Sequence, residues 1–277
     1  MLKKVFAKAK RIFNPINPII IYQMGKVGSK TVEASLNAYF DKKNIKADLY
    51  HTHNLVNLDK MQQNILQDKD RPSPKGTLAQ YKKDAKLREL IDQNPNQKWN
   101  LISLVRDPVS QNVASFFHVM KEYIPDWKEQ YEAKSLDLNS LQKLFIDSYA
   151  HVVTKRWFEG QMEPMWGIDV YSVPFDREAG FVIYRSQKAD LLLIRLENLN
   201  ECAPRAFEAF LNFKNFKLVN TNIGEEKEYK EVYTAFKTLP LPGDFIETMY
   251  DSRFMRHFYA DDEIVKLKKK WLSERVS

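Results

Sequence analysis

An apolar run of strand length passes directly into a glycine-containing turn and then into a helical pattern. It reads Pro18-Ile19-Ile20-Ile21-Tyr22-Gln23, then Met24-Gly25-Lys26-Val27-Gly28-Ser29-Lys30, then Thr31 to Phe40. A strand–turn–helix unit restricts a chain strongly, because the strand must be covered and its successor helix must fold back on a sheet. The turn is also an anion site in waiting. The first N–H groups of a helix have no intrahelical partner, and the helix dipole is positive there. Glycine lets backbone come close to an anion, Ser and Thr hydroxyls add donors, and lysine brings a mobile charge.

The alternation continues. Asp48 to His53 (DLYHTH) reads as a second strand, Arg71 to Gly76 (RPSPKG) as a loop, and Thr77 to Asp92 as a helix. Trp99 to Val105 reads as a third strand, ending in Arg106-Asp107-Pro108, with Pro108 suited to the first turn of the next helix. Val109, Val113, Phe116, Phe117 and Met120 give that helix an apolar face. A polar helical stretch is expected over Leu136 to Phe158, and strands over Phe181 to Arg185 and Leu191 to Leu196. A helix is expected over Cys202 to Leu211 with Pro204 in its first turn, and a charged, mostly helical tail from Glu225. Strands alternating with helices predict an α/β fold: a mostly parallel sheet with helices on both faces, a three-layer sandwich. The expected organisation is a basic segment over residues 1–17 and one domain over 18–277.

Composition narrows the class. With 277 residues and 44% hydrophobic residues, the chain can bury a core and is not a disordered tail. One cysteine, Cys202, excludes a disulfide framework and a cysteine-rich metal site. A net charge of +7 suits anionic ligands without choosing among them, and no nucleic-acid motif accompanies it. No apolar run approaches the roughly 20 residues of a membrane span, so a soluble, cytoplasmic protein is expected. The N-terminus MLKKVFAKAKRIF has two readings: a peripheral contact of residues 1–13 with an anionic membrane face, or a frayed helix before the first strand.

The loop is not the nucleoside-triphosphate motif G-x-x-x-x-G-K-[ST]. Met24 stands in place of the first glycine, and Ser29 in place of the glycine before the lysine. The pattern is Lys26-x-Gly28-Ser29-x-Thr31, which an ordinary strand-to-helix connection with a solvated lysine would also satisfy. Arg106 offers a rigid fork of donors to a phosphate, or an ion pair at a helix cap. A phosphotransfer site would place a magnesium-handling aspartate at the end of the third strand, where this chain has Arg106, with Asp107 one residue late. His51 and His53 share one face of their strand, and histidine titrates near neutrality. With five histidines and one cysteine, no further ligand cluster accompanies them as a zinc site.

Taken together, Lys26-x-Gly28-Ser29-x-Thr31, Arg106-Asp107-Pro108 and Tyr50-His51-x-His53 resemble the P-loop-type sulfotransferases that use 3′-phosphoadenosine 5′-phosphosulfate (PAPS), and among them the uronyl and heparan 2-O-sulfotransferases. The resemblance implies PAPS as donor, its bisphosphate PAP as product, no metal requirement, and a carbohydrate acceptor. It implies His53 as catalytic base, with His51 supporting it or touching acceptor. Gly28, Ser29, Lys30 and Thr31 would hold the 5′-phosphate, with Lys26 at the bridging oxygen. Arg106 would hold the 3′-phosphate, helped by Ser110 or Ser115. Two positions depart from the family: Ala114 stands where a serine is usual, and Gln111 where a second arginine is frequent. The segment Asn222 to Tyr229, with Lys227-x-Tyr229, is similar to a bacterial family labelled for capsular polysaccharide synthesis. That likeness extends from about Pro18 to about Asp262. The alternatives are a P-loop kinase using ATP and magnesium, and a non-enzymatic polyanion-binding module.

Overall fold

The computed structural model describes residues 16–67, 75–220 and 228–272. The N-terminal contact expected of residues 1–13, the start of the Arg71–Gly76 loop, and Lys227 fall outside the described residues.

Five strands form one sheet: β1 (Ile19–Tyr22), β2 (Leu49–Thr52), β3 (Trp99–Val105), β4 (Phe181–Arg185) and β5 (Ala189–Arg195), in the order β2-β1-β3-β5-β4. β1 pairs in parallel with β2 and β3, and β3 in parallel with β5, while β4 runs antiparallel to β5 at the edge. The three inner strands are buried at every residue, as apolar runs in a parallel sheet covered on both faces should be. The edge strand β2 is half-buried at three of its four residues. β4 is antiparallel because only Ser186 to Lys188 separate it from β5, too short a link for a crossover; Arg185 and Asp190 close the turn with a salt bridge of 2.5 Å.

The helices follow the expected pattern with three corrections. α1 (Ser29–Lys43) follows β1; α2 (Leu58–Gln67) and α3 (Lys75–Gln93) precede β3; α4 (Pro108–Tyr123) follows it. Lys75 and Gly76 thus begin α3 rather than end a loop. After α5 (Trp127–Glu132), the stretch expected as one polar helix divides into α6 (Leu138–Ser148) and α7 (Val152–Trp157), followed by a π turn (Phe158–Met162) and α8 (Glu163–Trp166). A third correction concerns α9 (Leu199–Leu211), which begins three residues before Cys202, so Pro204 lies inside it rather than in its first turn. The proline removes one i→i−4 hydrogen bond there. The chain ends with α10 (Lys230–Phe236), α11 (Gly243–Tyr250), α12 (Arg253–Phe258) and α13 (Asp261–Leu272). Buried apolar residues from β1 to α13 form one cluster. No described helix is long and apolar enough to cross a membrane.

The chain leaves β1 toward β2 on one side of the sheet and leaves β3 toward β5 on the other. Such a reversal opens a crevice at the carboxyl ends of the two diverging strands, where ligands of open α/β sheets bind. The loop after β1 and Arg106 after β3 flank that crevice.

Candidate functional site

The loop after β1 is held from below and from the side. Met24 and Val27 are buried, anchoring it in the core on either side of Lys26. Lys26 and Gly28 both take left-handed backbone conformations, with φ of 62° and 95°. The left-handed conformation favours glycine at Gly28; a Cβ there would also meet Leu196 Cδ1 at 2.6 Å, a terminal methyl that can turn aside. The Arg106 guanidinium donates to the Lys26 carbonyl (2.9 Å), and the Gln111 amide donates to the Gly25 carbonyl (2.8 Å). These two bonds tie the loop to the β3–α4 junction.

α1 starts here without a cap. Gly28 has no side chain to offer, no side chain caps the helix, and no acidic residue occupies its first turn. By contrast, Asp107, Asp137 and Ser252 cap α4, α6 and α12. An uncapped N-terminus facing a cleft leaves backbone N–H groups and the positive end of the dipole for an anion.

The two histidines enter from the end of β2. His53 Nδ1 lies 2.7 Å from the Gln23 carbonyl. A carbonyl only accepts, so Nδ1 carries the proton and Nε2 carries the lone pair. Burial, first of all, pushes the His53 pKa below its ordinary value, with Lys26 and Lys30 adding to the effect against the hydrogen bond to Gln23 and the charge of Asp84. The shift favours the neutral ring, whose Nε2 lone pair can accept a proton. The Trp157 indole donates to the His53 carbonyl at 3.2 Å, fixing the backbone. His51 packs edge-on against His53, with ring centroids 5.1 Å apart, and its Nδ1 lies 3.1 Å from Glu33 Oε2.

These groups line one cleft of about 700 Å³. Of the residues singled out from the sequence, it brings together Lys26, Gly28, Ser29, Lys30, Thr31, His51, His53, Arg106 and Ser115. Ser110 is not among its lining residues: the buried Ser110 hydroxyl donates to the Asp107 carboxylate inside the α4 cap and accepts from Lys270 Nζ at 3.2 Å. Among the described residues, four cationic side chains line the cleft (Lys26, Lys30, Arg106 and Lys230) and no Asp or Glu does. Asp107 is turned away; its carboxylate accepts from Val109 N, Ser110 N and the Tyr250 hydroxyl. Glu197 is structural in the same way: its carboxylate accepts the Asp107 N–H at 2.9 Å and the Tyr259 hydroxyl at 3.2 Å. Among the described residues, no three His, Cys, Asp or Glu side chains converge as metal ligands.

The far wall was not foreseen. It consists of Ala114, His118 and Val119 on α4, Tyr149 after α6, and Tyr229, Lys230 and Tyr233 around the start of α10. The α4 members share a helix face with Ser115, a spacing readable in the sequence. The tyrosines come from distant segments; of them only Tyr229 carried a local signal, in Lys227-x-Tyr229, and it named no role.

Fold and site together define an α/β protein with a cleft lined by cationic side chains at the switch point of a mostly parallel sheet. A family model described as “Putative capsular polysaccharide synthesis protein” matches residues 131–260, a stretch that supplies Tyr149, Tyr229, Lys230 and Tyr233 to the cleft. No curated protein and no solved structure matches the chain.

Proposed function

We propose that this chain is a PAPS-dependent O-sulfotransferase acting on a carbohydrate. The observation that carries the reading is the pairing, in one cleft, of an all-cationic anion site with a neutral imidazole whose Nε2 holds a lone pair. The cleft fits a ligand with two phosphates: the uncapped α1 start with Lys26 and Lys30 suits one, and Arg106 with Ser115 suits the other. The match to a capsular polysaccharide family supports a saccharide acceptor belonging to a cell-surface polymer.

The donor supplies an activated sulfuryl group joined to its 5′-phosphate. His53 accepts the acceptor hydroxyl proton on Nε2 as the new O–S bond forms. The S–O bond to the phosphate breaks, and Lys26 and the first N–H groups of α1 meet the negative charge left on that oxygen. Arg106 holds the second phosphate while bracing the loop through the Lys26 carbonyl. Tyr149, Tyr229 and Tyr233 offer ring faces for the nucleoside. The kinase alternative finds no support in Asp107, whose carboxylate is committed to the α4 cap.

The direct test is calorimetric binding of PAP in EDTA, beside ATP with magnesium, followed by transfer from PAPS to polysaccharide acceptors. Metal-independent PAP binding that is lost in Arg106→Ala is expected. Binding of ATP with magnesium in place of PAP would overturn the proposal.

A further inference from the structure

The His53 tautomer depends on one bond, from Nδ1 to the Gln23 carbonyl, and so on how closely the ends of β1 and β2 are held together. The parallel ladder alone holds them loosely. Its register ends at the Tyr22–Thr52 pair, and beyond it the Gln23 N–H reaches the Thr52 carbonyl only at 3.4 Å.

The segment from α7 through the π turn closes the two strand ends from outside the sheet. Thr154, Trp157 and Gln161 stand at i, i+3 and i+7, a spacing that keeps them near one helix face. Thr154 and Trp157 are buried and Gln161 is half-buried. The Thr154 hydroxyl meets the amide oxygens of Gln111 and Asn112, and the Gln111 amide holds the Gly25 carbonyl. The Trp157 indole, besides donating to the His53 carbonyl, packs edge-on against Tyr22 with ring centroids 4.9 Å apart. The Gln161 amide oxygen accepts from the Tyr22 hydroxyl at 2.7 Å and from the Leu55 and Val56 N–H groups at 3.1 and 3.2 Å. Two successive N–H groups converging on one acceptor form a nest. One oxygen therefore ties the residue before Gln23 to the stretch that follows His53.

Apolar side chains would pack such a face without needing partners, whereas each buried polar group must find one. Here all three are bonded to the segments that carry Gly25, Gln23 and His53. The π turn, in which the Glu163 N–H bonds back to the Phe158 carbonyl, contains Gln161; such turns are frequent at functional sites.

We infer that Gln161, with Trp157, is a positioning residue for His53: it clamps the ends of β1 and β2 so that Nδ1 keeps its proton on the Gln23 carbonyl and Nε2 keeps its lone pair. The effect on turnover rests on the sulfuryl-transfer reading; the state of the ring does not.

The test is the imidazole nitrogen resonances of His53, identified by their loss in His53→Ala and read at about pH 8, where histidine is neutral. The unaltered protein should show the proton on Nδ1 alone. Gln161→Met fills the same space without a comparable acceptor and should spread the proton over both nitrogens. Gln161→Glu keeps an acceptor oxygen at the same reach and should restore the single tautomer. Asp137→Ala, which removes an exposed helix cap, should leave it unchanged. With PAPS, Gln161→Met should lose about 10- to 100-fold in turnover while PAP binding stays the same. A tautomer unchanged in Gln161→Met would overturn the inference, as would the same change in Asp137→Ala or no restoration in Gln161→Glu. Should Gln161→Met not fold, Trp157→Phe keeps a ring and loses only the indole donor, and an unchanged tautomer there would overturn it equally. Loss of the tautomer in Gln161→Met, with no transfer from PAPS by the unaltered protein, would remove the sulfuryl-transfer reading and leave the clamp.

Discussion

One oxygen of Glu33 joins the two halves of the site: Oε2 lies 3.1 Å from His51 Nδ1 and 3.4 Å from Lys30 Nζ. A helix that starts at the loop after β1 thus reaches, within about one turn, the histidine near the end of β2. His51 is pulled in both directions. Burial, first of all, and the neighbouring His53 lower its pKa, Glu33 raises it, and Lys30 lowers it. The geometry therefore fixes two opposite outcomes. Glu33→Gln should move the His51 titration lower, and Lys30→Ala should move it higher. An anion that neutralises Lys30 should act as Lys30→Ala does. Imidazole resonances followed by NMR against pH would decide; shifts of the same sign in the two variants would break the link.

The base role proposed for His53 has its own pH signature. Its neutral form is the active one, and burial lowers its pKa below the ordinary 6.5. Turnover should rise with pH through an acid limb centred below 6.5 and then level off until another group titrates. His53→Ala should lose about 10²- to 10⁴-fold in turnover, the usual contribution of a general base, with PAP affinity nearly intact. An acid limb unchanged in His53→Ala would assign it to a different group.

Stability should follow the same sign, because His51, His53, His151 and His257 are all shifted down, in each case chiefly by burial. An unfolded histidine protonates near pH 6.5, and these do so lower in the fold. Between those values the unfolded chain binds more protons, so the stability held above about pH 6.5 is lost progressively as the pH falls. Urea midpoints measured between about pH 8 and pH 5 should decline on the acid side; a rise through that window would contradict the assignment.

What the sequence could say about this protein depended on how local the signal was. Trp99–Val105 and Phe181–Arg185 were readable to the residue, because each is a stretch of strand length rich in branched and aromatic residues and bounded by polar residues or glycine. The start of α9 was misread. Proline favours the first turn of a helix, yet here a 3-10 turn over Leu196–Asn198 delivers the chain into helix five residues before Pro204. In the site, the loop, both histidines and Arg106 stood at strand ends and so announced themselves. Choosing between Ser110 and Ser115 required the rotation of α4 about its axis. The tyrosine wall required knowing that α6 and α10 return to the same cleft, which is a matter of long-range packing.

Gly28 is the position where the loop tolerates least. Its φ of 95° is left-handed, and an added Cβ would meet Leu196 Cδ1 at 2.6 Å. Leucine can swing its terminal methyl aside, so the backbone conformation sets the larger part of the penalty. Gly28→Ala should destabilise the fold by about 1–2 kcal/mol, the cost of placing an L-residue in this region. Because the same residue shapes the start of α1, PAP affinity should fall as well. Retained stability with retained binding would show that the loop does not need this conformation.

The two serines of α4 provide the last prediction, since the sequence offered both and the fold separates them. Ser115 lines the cleft and its hydroxyl receives a hydrogen bond from Gln111 at 3.3 Å, whereas Ser110 is buried in the α4 cap with Asp107 and Lys270. Ser115→Ala should weaken PAP binding by about 1 kcal/mol, roughly fivefold, without lowering stability appreciably. Ser110→Ala should behave in reverse: a cap that has lost one partner destabilises the protein by about 1 kcal/mol, while PAP binding stays the same. Calorimetry and urea unfolding on the two variants read both quantities. A loss of PAP affinity confined to Ser110→Ala would place the second phosphate inside the α4 cap, which Asp107 fills with negative charge, and would require a different arrangement of β3 and α4 from the one described.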